Sequence, residues 1–154
     1  YITGLELGGA LKNVIAIAVG AADGLGFGHN ARAGLITRGI AEISRLATHL
    51  GANPQTLAGL SGLGDLVLTC TSDLSRNRSV GLALGRGRAL SDVLSEMHMV
   101  AEGVRTAKSA RELALREGVD LPITTEVYEA LYEGKSPSAA VASLLRRALR
   151  AERD

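Results

Sequence analysis

Lys12 stands inside the most apolar stretch of this chain, among Leu7, Leu11, Val14, Ile15, Ile17, Ala18 and Val19. Taking an ammonium group out of water is costly unless it finds a partner. A lysine held in such a place can exchange a proton with a substrate hydroxyl. The alternative is a lysine near a helix end that lays its stem on apolar surface and keeps its head in water. Asp65 follows Gly62-Leu63-Gly64 and precedes an apolar run. Its carboxylate could hold Lys12 or accept a substrate hydroxyl, or it could simply cap a helix. Ser75-Arg76-Asn77-Arg78 has the makings of an anion site. A serine cap and the free amides of a helix start attract phosphate, and a guanidinium can grip it with two bonds. The plainer reading is an ordinary capped, solvated helix start.

Other candidates carry less. Gly24-x-Gly-x-Gly follows a helix rather than a strand, so it is not a dinucleotide fingerprint. It reads as a turn that ends one helix and lets two long helices pack. Met97-His98-Met99 is a poor ligand set, and His29, His49 and His98 lack metal-ligand spacing. No metal site is expected.

The elements that must position these residues are helices. Leu5–Asp23 is apolar nearly all round, which predicts a central, buried helix. A second long helix is predicted from Asn30 to Leu50, with Ile36, Ile40, Ile43, Ala47 and Leu50 on its inner stripe. Arg38, Glu42, Arg45 and His49 fall off that stripe. Gly51 suits the position after its end. A short helix is expected over Asn53–Leu60. Another begins at Ser75 and fades at Gly85-Arg86-Gly87, and Ser91 is expected to cap a short one through Glu96. Glu102–Glu117 ends at Gly118, and Pro122–Tyr132 ends at Gly134. Ser136-Pro137 opens the last helix, with Val141, Leu144, Leu145 and Leu149 inward. The charged residues from Arg146 onward are expected to fray. The predicted fold is all-α: a single compact helical domain over residues 1–150 with two long central helices, then a charged tail at 151–154.

Composition agrees with a globular chain: 154 residues, 46% hydrophobic, 21% charged and net charge +1. That balance offers no electrostatic footprint for nucleic acid. Aromatics make up only 3%, so the core must be aliphatic. The lone Cys70 excludes an internal disulfide and points to the cytoplasm. The apolar run Val14–Ala22 falls short of the ~20 residues a bilayer span needs. The start Tyr-Ile-Thr-Gly-Leu-Glu, without an initiator Met, reads as part of something longer.

Several motifs in order resemble one family, the bacterial-type NAD(P)-dependent glycerol-3-phosphate dehydrogenases. They are Gly8-Gly9-Ala10-Leu11-Lys12-Asn13-Val14-Ile15, Asp23-Gly24-Leu25-Gly26-Phe27-Gly28-His29-Asn30 and Thr37-Arg38-Gly39. Further along come Leu60-Ser61-Gly62-Leu63-Gly64-Asp65-Leu66, Thr69-Cys70, Ser75-Arg76-Asn77-Arg78, Val100-Ala101-Glu102-Gly103 and Leu121-Pro122-Ile123. The resemblance runs from about Gly4 to Arg147 and covers only the family's helical, substrate-binding part, a domain similar to the C-terminal domain of 6-phosphogluconate dehydrogenase. Many relatives carry a bulkier, more basic pair at Ser79-Val80 and an aromatic near Leu57, which bears on packing rather than chemistry.

The resemblance implies an oxidoreductase that interconverts dihydroxyacetone phosphate and sn-glycerol 3-phosphate with NAD(P)H and supplies phospholipid synthesis. It implies Lys12 as general acid/base, with Asn13 as supporting neighbour and Asp65 orienting Lys12 and binding substrate hydroxyls. It implies Ser75, Arg76 and Asn77 as substrate ligands, with Arg76, Val100 and Glu102 touching the nucleotide. Its other partner is the chain's own Rossmann domain, absent here, which would hold most of the NAD(P); there is room for a homodimer. Two alternatives stand beside this: a β-hydroxyacid dehydrogenase-like domain, which needs only a carboxylate site, and a non-catalytic helical dimerisation module. Since the nucleotide half is missing, the purified 154-residue chain is expected to be catalytically silent, and measurable NAD(P)H turnover by it would overturn that.

Overall fold

A computed structural model describes residues 4–53 and 60–153, with side chains described for residues 8–53 and 64–147. The expected Asn53–Leu60 helix and the Leu57 position lie outside or at the edge of the described residues. Eight helices and no strand occur among them. They are α1 (Gly4–Gly24), α2 (His29–His49), α3 (Leu60–Thr71), α4 (Arg76–Gly85), α5 (Leu90–Glu96), α6 (Glu102–Glu117), α7 (Pro122–Tyr132) and α8 (Pro137–Arg153).

The all-round apolar helix is the centre of the fold. From Val14 to Val19 every α1 residue is buried, and α1 packs against α2, α3, α4, α6, α7 and α8. Its closest neighbour is α4. A Cβ added at Gly20 would overlap the Arg78 carbonyl oxygen, and one at Gly24 would overlap that of Leu82. In return, a Cβ at Gly81 would overlap the Ile17 carbonyl oxygen, and one at Gly85 that of Ala21. Each helix thus presents two glycines four residues apart, on one face, to the other's backbone. Gly26 and Gly28, with φ of 81° and 87°, make the turn into α2, a conformation that glycine adopts without strain. Gly24 therefore serves the helix crossing, while its two successors make the turn.

Most helix ends follow the sequence signals. Ser75 Oγ accepts from the Arg78 amide at 3.2 Å, and Ser136 Oγ accepts from the Ala139 amide at 3.1 Å. Gly51, Gly118 and Gly134 have positive φ just past α2, α6 and α7. Two expectations need correction. Helix α5 begins at Leu90 with Ala89 in the cap position, so Ser91 lies inside it and caps nothing. Asp65 lies in the middle of α3 and does not cap a helix start. Helical backbone runs on to Arg153.

Glu42 departs furthest from the amphipathic reading. It is 3% exposed, and the deepest line of α2 runs through Leu35, Gly39, Glu42 and Leu46. Its carboxylate accepts from the amides of Ile123 and Thr124 at 2.7 and 2.9 Å, and from the Thr124 hydroxyl at 2.7 Å. It is a cap for α7 supplied by another helix, satisfying amides that the helix start leaves without partners. Burial pushes the Glu42 carboxyl above its ordinary value, and the three donors pull it back.

The glycine crossing makes a direct prediction. Gly81→Ala is expected to destabilise the chain by about 3 kcal/mol, because backbone must move to admit the methyl. Gly34→Ala, in the interior of α2 with open space around it, should be neutral or stabilising by roughly 0.5–1 kcal/mol. Chemical denaturation of the two variants side by side checks this, and equal effects would remove the crossing as the constraint.

Candidate functional site

The α1–α4 crossing sets the start of α4 beside the N-terminal half of α1. Between them lies an open groove of about 380 Å³, lined by Lys12 and Asn13 of α1, Leu68 and Thr69 of α3, Ser72, Leu74 and Ser75 of the turn, and Arg76 and Asn77 of α4. Lys12 Nζ is 2.5 Å from Asp65 Oδ2, with the lysine side chain 31% exposed and the aspartate 54%. Lys12 is therefore neither sealed in the core nor snorkelling free. Its head reaches the groove wall and is held there by a carboxylate from α3.

The opposite wall is the start of α4. The Ser75 cap takes up the Arg78 amide, and the first turn also carries the Arg76 and Asn77 amides, which an α-helix leaves without intrahelical partners. Arg76 is exposed, and its Nη1 lies 2.9 Å from Met99 Sδ. Asn77 is 9% exposed, and its Oδ1 accepts from the Gly103 amide at 2.7 Å. Asn77 thus ties the start of α6 to the groove. Gly103 is needed there: a Cβ on it would sit 2.7 Å from both the Asn13 carbonyl oxygen and Asn77 Oδ1. Val100 and Glu102 fall between these two anchors, at Met99 and Gly103. Both are exposed, and neither is among the residues lining the groove itself.

Sequence reasoning missed several groove residues. Thr69 and Ser72 line the groove with Lys12, and Leu74, 93% exposed, forms an apolar lip. Thr69 lies four residues past Asp65, one helical turn on, which is the signal that could have found it. A buried ion-pair cluster behind the groove was missed as well. Asp23, whose side chain is 9% exposed, is gripped by Arg32 through Nε at 3.1 Å and Nη2 at 3.0 Å, and by Arg78 Nη2 at 3.1 Å.

Cys70 offers no alternative nucleophile. It is fully buried, and burial first, then the Asp23 charge, push its thiol up to about 12. Among the described residues no three His, Cys, Asp or Glu side chains gather as a metal site. None of the described helices is long and apolar enough to cross a membrane.

Comparison with known proteins decides the family. The model for "NAD-dependent glycerol-3-phosphate dehydrogenase C-terminus" matches residues 2–142. The chain belongs to that family. A glycerol-3-phosphate dehydrogenase of Geobacter sulfurreducens, named with NAD(P)+, is 62% identical over 152 residues, covering 99% of this chain and 45% of that protein. Its namesake from Myxococcus xanthus is 63% identical over 151 residues, covering 98% and 45%. The crystal structure of the Coxiella burnetii glycerol-3-phosphate dehydrogenase superposes with a TM-score of 0.89 at 46% identity, covering 92% of this chain and 44% of that one. The chain thus spans a little under half the length of the relatives it matches. As a C-terminal domain of the glycerol-3-phosphate dehydrogenase family, it has the helical architecture its motifs implied.

The buried state of Cys70 is open to measurement. In the native chain at pH 8 a thiol-alkylating reagent should leave Cys70 unmodified over hours, because only the thiolate attacks and the folded protein supplies almost none. Labelling should become fast in denaturant, and rapid native labelling would show that α3 opens readily.

Proposed function

We propose that this chain is the substrate-binding and acid/base half of an enzyme interconverting dihydroxyacetone phosphate and sn-glycerol 3-phosphate with NAD(P)H. One observation carries the reading: an ion-paired lysine, a serine-capped helix start and an exposed arginine face one groove. A lysine head alone would serve many reactions. Beside a helix start and a guanidinium it suits a substrate whose reacting oxygen and anionic group lie a few atoms apart. A plain hydroxy acid would need no second anion site.

In this reading residues 1–150 are the substrate domain, 151–154 a tail, and a Rossmann domain in the parent protein holds most of the nucleotide. The Arg76–Met99 and Asn77–Gly103 interactions tie the segment that carries Val100 and Glu102 to the start of α4, and in this reading Arg76, Val100 and Glu102 offer charged, apolar and acceptor surface to a dinucleotide. The nicotinamide, when bound, supplies or accepts the hydride. Lys12 Nζ gives a proton to the carbonyl oxygen as that carbon is reduced, and takes it from the hydroxyl in the reverse direction. Asp65 holds the Lys12 head toward the groove and accepts from a substrate hydroxyl. Ser75, Arg76 and Asn77 hold the phosphorylated triose, with Asn13 steadying the site beside Lys12. The reading implies a cytoplasmic enzyme that feeds phospholipid synthesis.

The full-length parent protein tests this through NAD(P)H oxidation with dihydroxyacetone phosphate. Lys12→Ala is expected to lower kcat by about 10²–10⁴-fold while the protein stays folded, the usual scale of a lost acid/base group. A wild type that ignores this substrate but reduces an unphosphorylated keto acid would replace the assignment with the β-hydroxyacid one. Equal activity of wild type and Lys12→Ala would move the proton chemistry elsewhere.

A further inference from the structure

We infer that Arg78 is a positioning residue, a clamp that fixes the anion-binding turn against α1; the inference rests on the function proposed above. Arg78 is a buried charged residue next to Asn77 of the groove, yet it does not line it. Its side chain is only 10% exposed. One arm of the guanidinium, Nη2, donates to Asp23 Oδ2 on α1 at 3.1 Å. The other, Nη1, donates to Asp73 Oδ1 at 2.9 Å. Asp73 belongs to the turn between α3 and α4, the segment that also carries Ser72, Leu74 and Ser75 of the groove wall. Arg32 fixes Asp23 in turn with two bonds of its own.

The backbone of Arg78 works in the same direction. Its amide receives the Ser75 cap, and its carbonyl is pressed on Gly20. Cap, helix crossing and ion pairs therefore meet at one residue, and the turn is tied to α1 by charge as well as by close backbone packing. A flexible turn would have to be ordered each time a phosphate bound. A clamped one presents its donors already in place, which lowers the cost of binding.

Stability alone does not account for this arrangement. A buried guanidinium adds little net stability over an apolar side chain of similar volume, and here its Nε is buried with no partner. Asp73 is 95% exposed, so the outer pair adds little to folding either. What the pair does is join a surface turn to a buried anchor. Lysine could not replace the arginine, because a single ammonium lacks the planar fork that reaches two carboxylates on opposite sides.

The test uses the full-length enzyme with Asp73→Asn and Arg78→Lys. It measures KM for dihydroxyacetone phosphate, kcat, and backbone hydrogen exchange over residues 72–78. Asp73→Asn should raise KM about two- to five-fold with kcat within about two-fold, the scale of one exposed pair. Arg78→Lys should raise KM roughly ten-fold or more with kcat again nearly unchanged, the pattern of lost binding rather than lost chemistry. Exchange at the hydrogen-bonded amides of Leu74, Ser75 and residue 78 should quicken in both, while α1 stays protected. A role confined to stability would lower the melting temperature and leave KM unmoved, and that result overturns the clamp. Should Arg78→Lys fail to fold, Asp73→Asn decides by the same criteria. If wild type does not reduce the triose, the proposed function falls but the exchange measurement still judges the clamp: unchanged protection over the turn overturns it, and faster exchange supports it.

Discussion

Everything in this domain hangs on the contact of two helix backbones. Helices normally keep 8–10 Å between their axes because side chains intervene. Where α1 meets α4, Gly20 and Gly24 face Gly81 and Gly85, and no side chain stands between carbonyls and the opposing α-carbons. That approach brings the start of α4 within reach of α1. It also brings Arg78 to Asp23 and Asn77 to the Asn13–Gly103 neighbourhood. A wider crossing would leave the same residues on the same helices and pull apart the groove they line.

The second constraint is the disposal of charge in an aliphatic interior. Charged groups lie deep in this small domain, and each is matched differently. Glu42 is buried among backbone donors at the start of α7. Asp23 is shared by two arginines. Lys12 is paired but left open to the groove. The contrast separates roles. Glu42 and Asp23 face inward and hold elements together. Lys12 and Asp65 form a salt bridge whose side chains are 31% and 54% exposed, with Lys12 lining the groove. An ion pair so open adds little to stability, in contrast to the two buried carboxylates.

The groove owes its polarity to three elements that are weak alone. A helix start attracts anions modestly, an exposed arginine is a common surface feature, and a lysine near a helix end often solvates itself. Their convergence in one open groove is what supports the proposed phosphorylated-triose reading. A turn contributes beside the helices here. The turn from Ser72 to Ser75 supplies one edge, and Arg78 and Arg76 tie this turn, through Asp73, and the neighbouring segment, through Met99, back to α4.

Much of this was legible in the residues themselves. Apolar patterning located α1 and α2; Ser75, Gly118, Pro122, Gly134 and Ser136 marked the ends of later helices, because caps and left-handed glycines act over three or four residues. The order of motifs around Lys12, Asp65 and Ser75–Asn77 pointed to the family. What the sequence could not determine is every relation that spans dozens of residues. Glu42 looks solvent-facing on its own helix, and only the arrival of Ile123 and Thr124 turns it into a buried cap. Asp65 could have capped α3 or held Lys12; the tertiary structure chose by bringing α3 alongside α1. Arg78 reads as one more basic residue of a helix start until Asp23, 55 positions earlier, comes within 3.1 Å. Local patterns determine local structure because their energies are local. The partner of a buried charge is decided only when the chain closes on itself, since desolvation and pairing depend on what else is there.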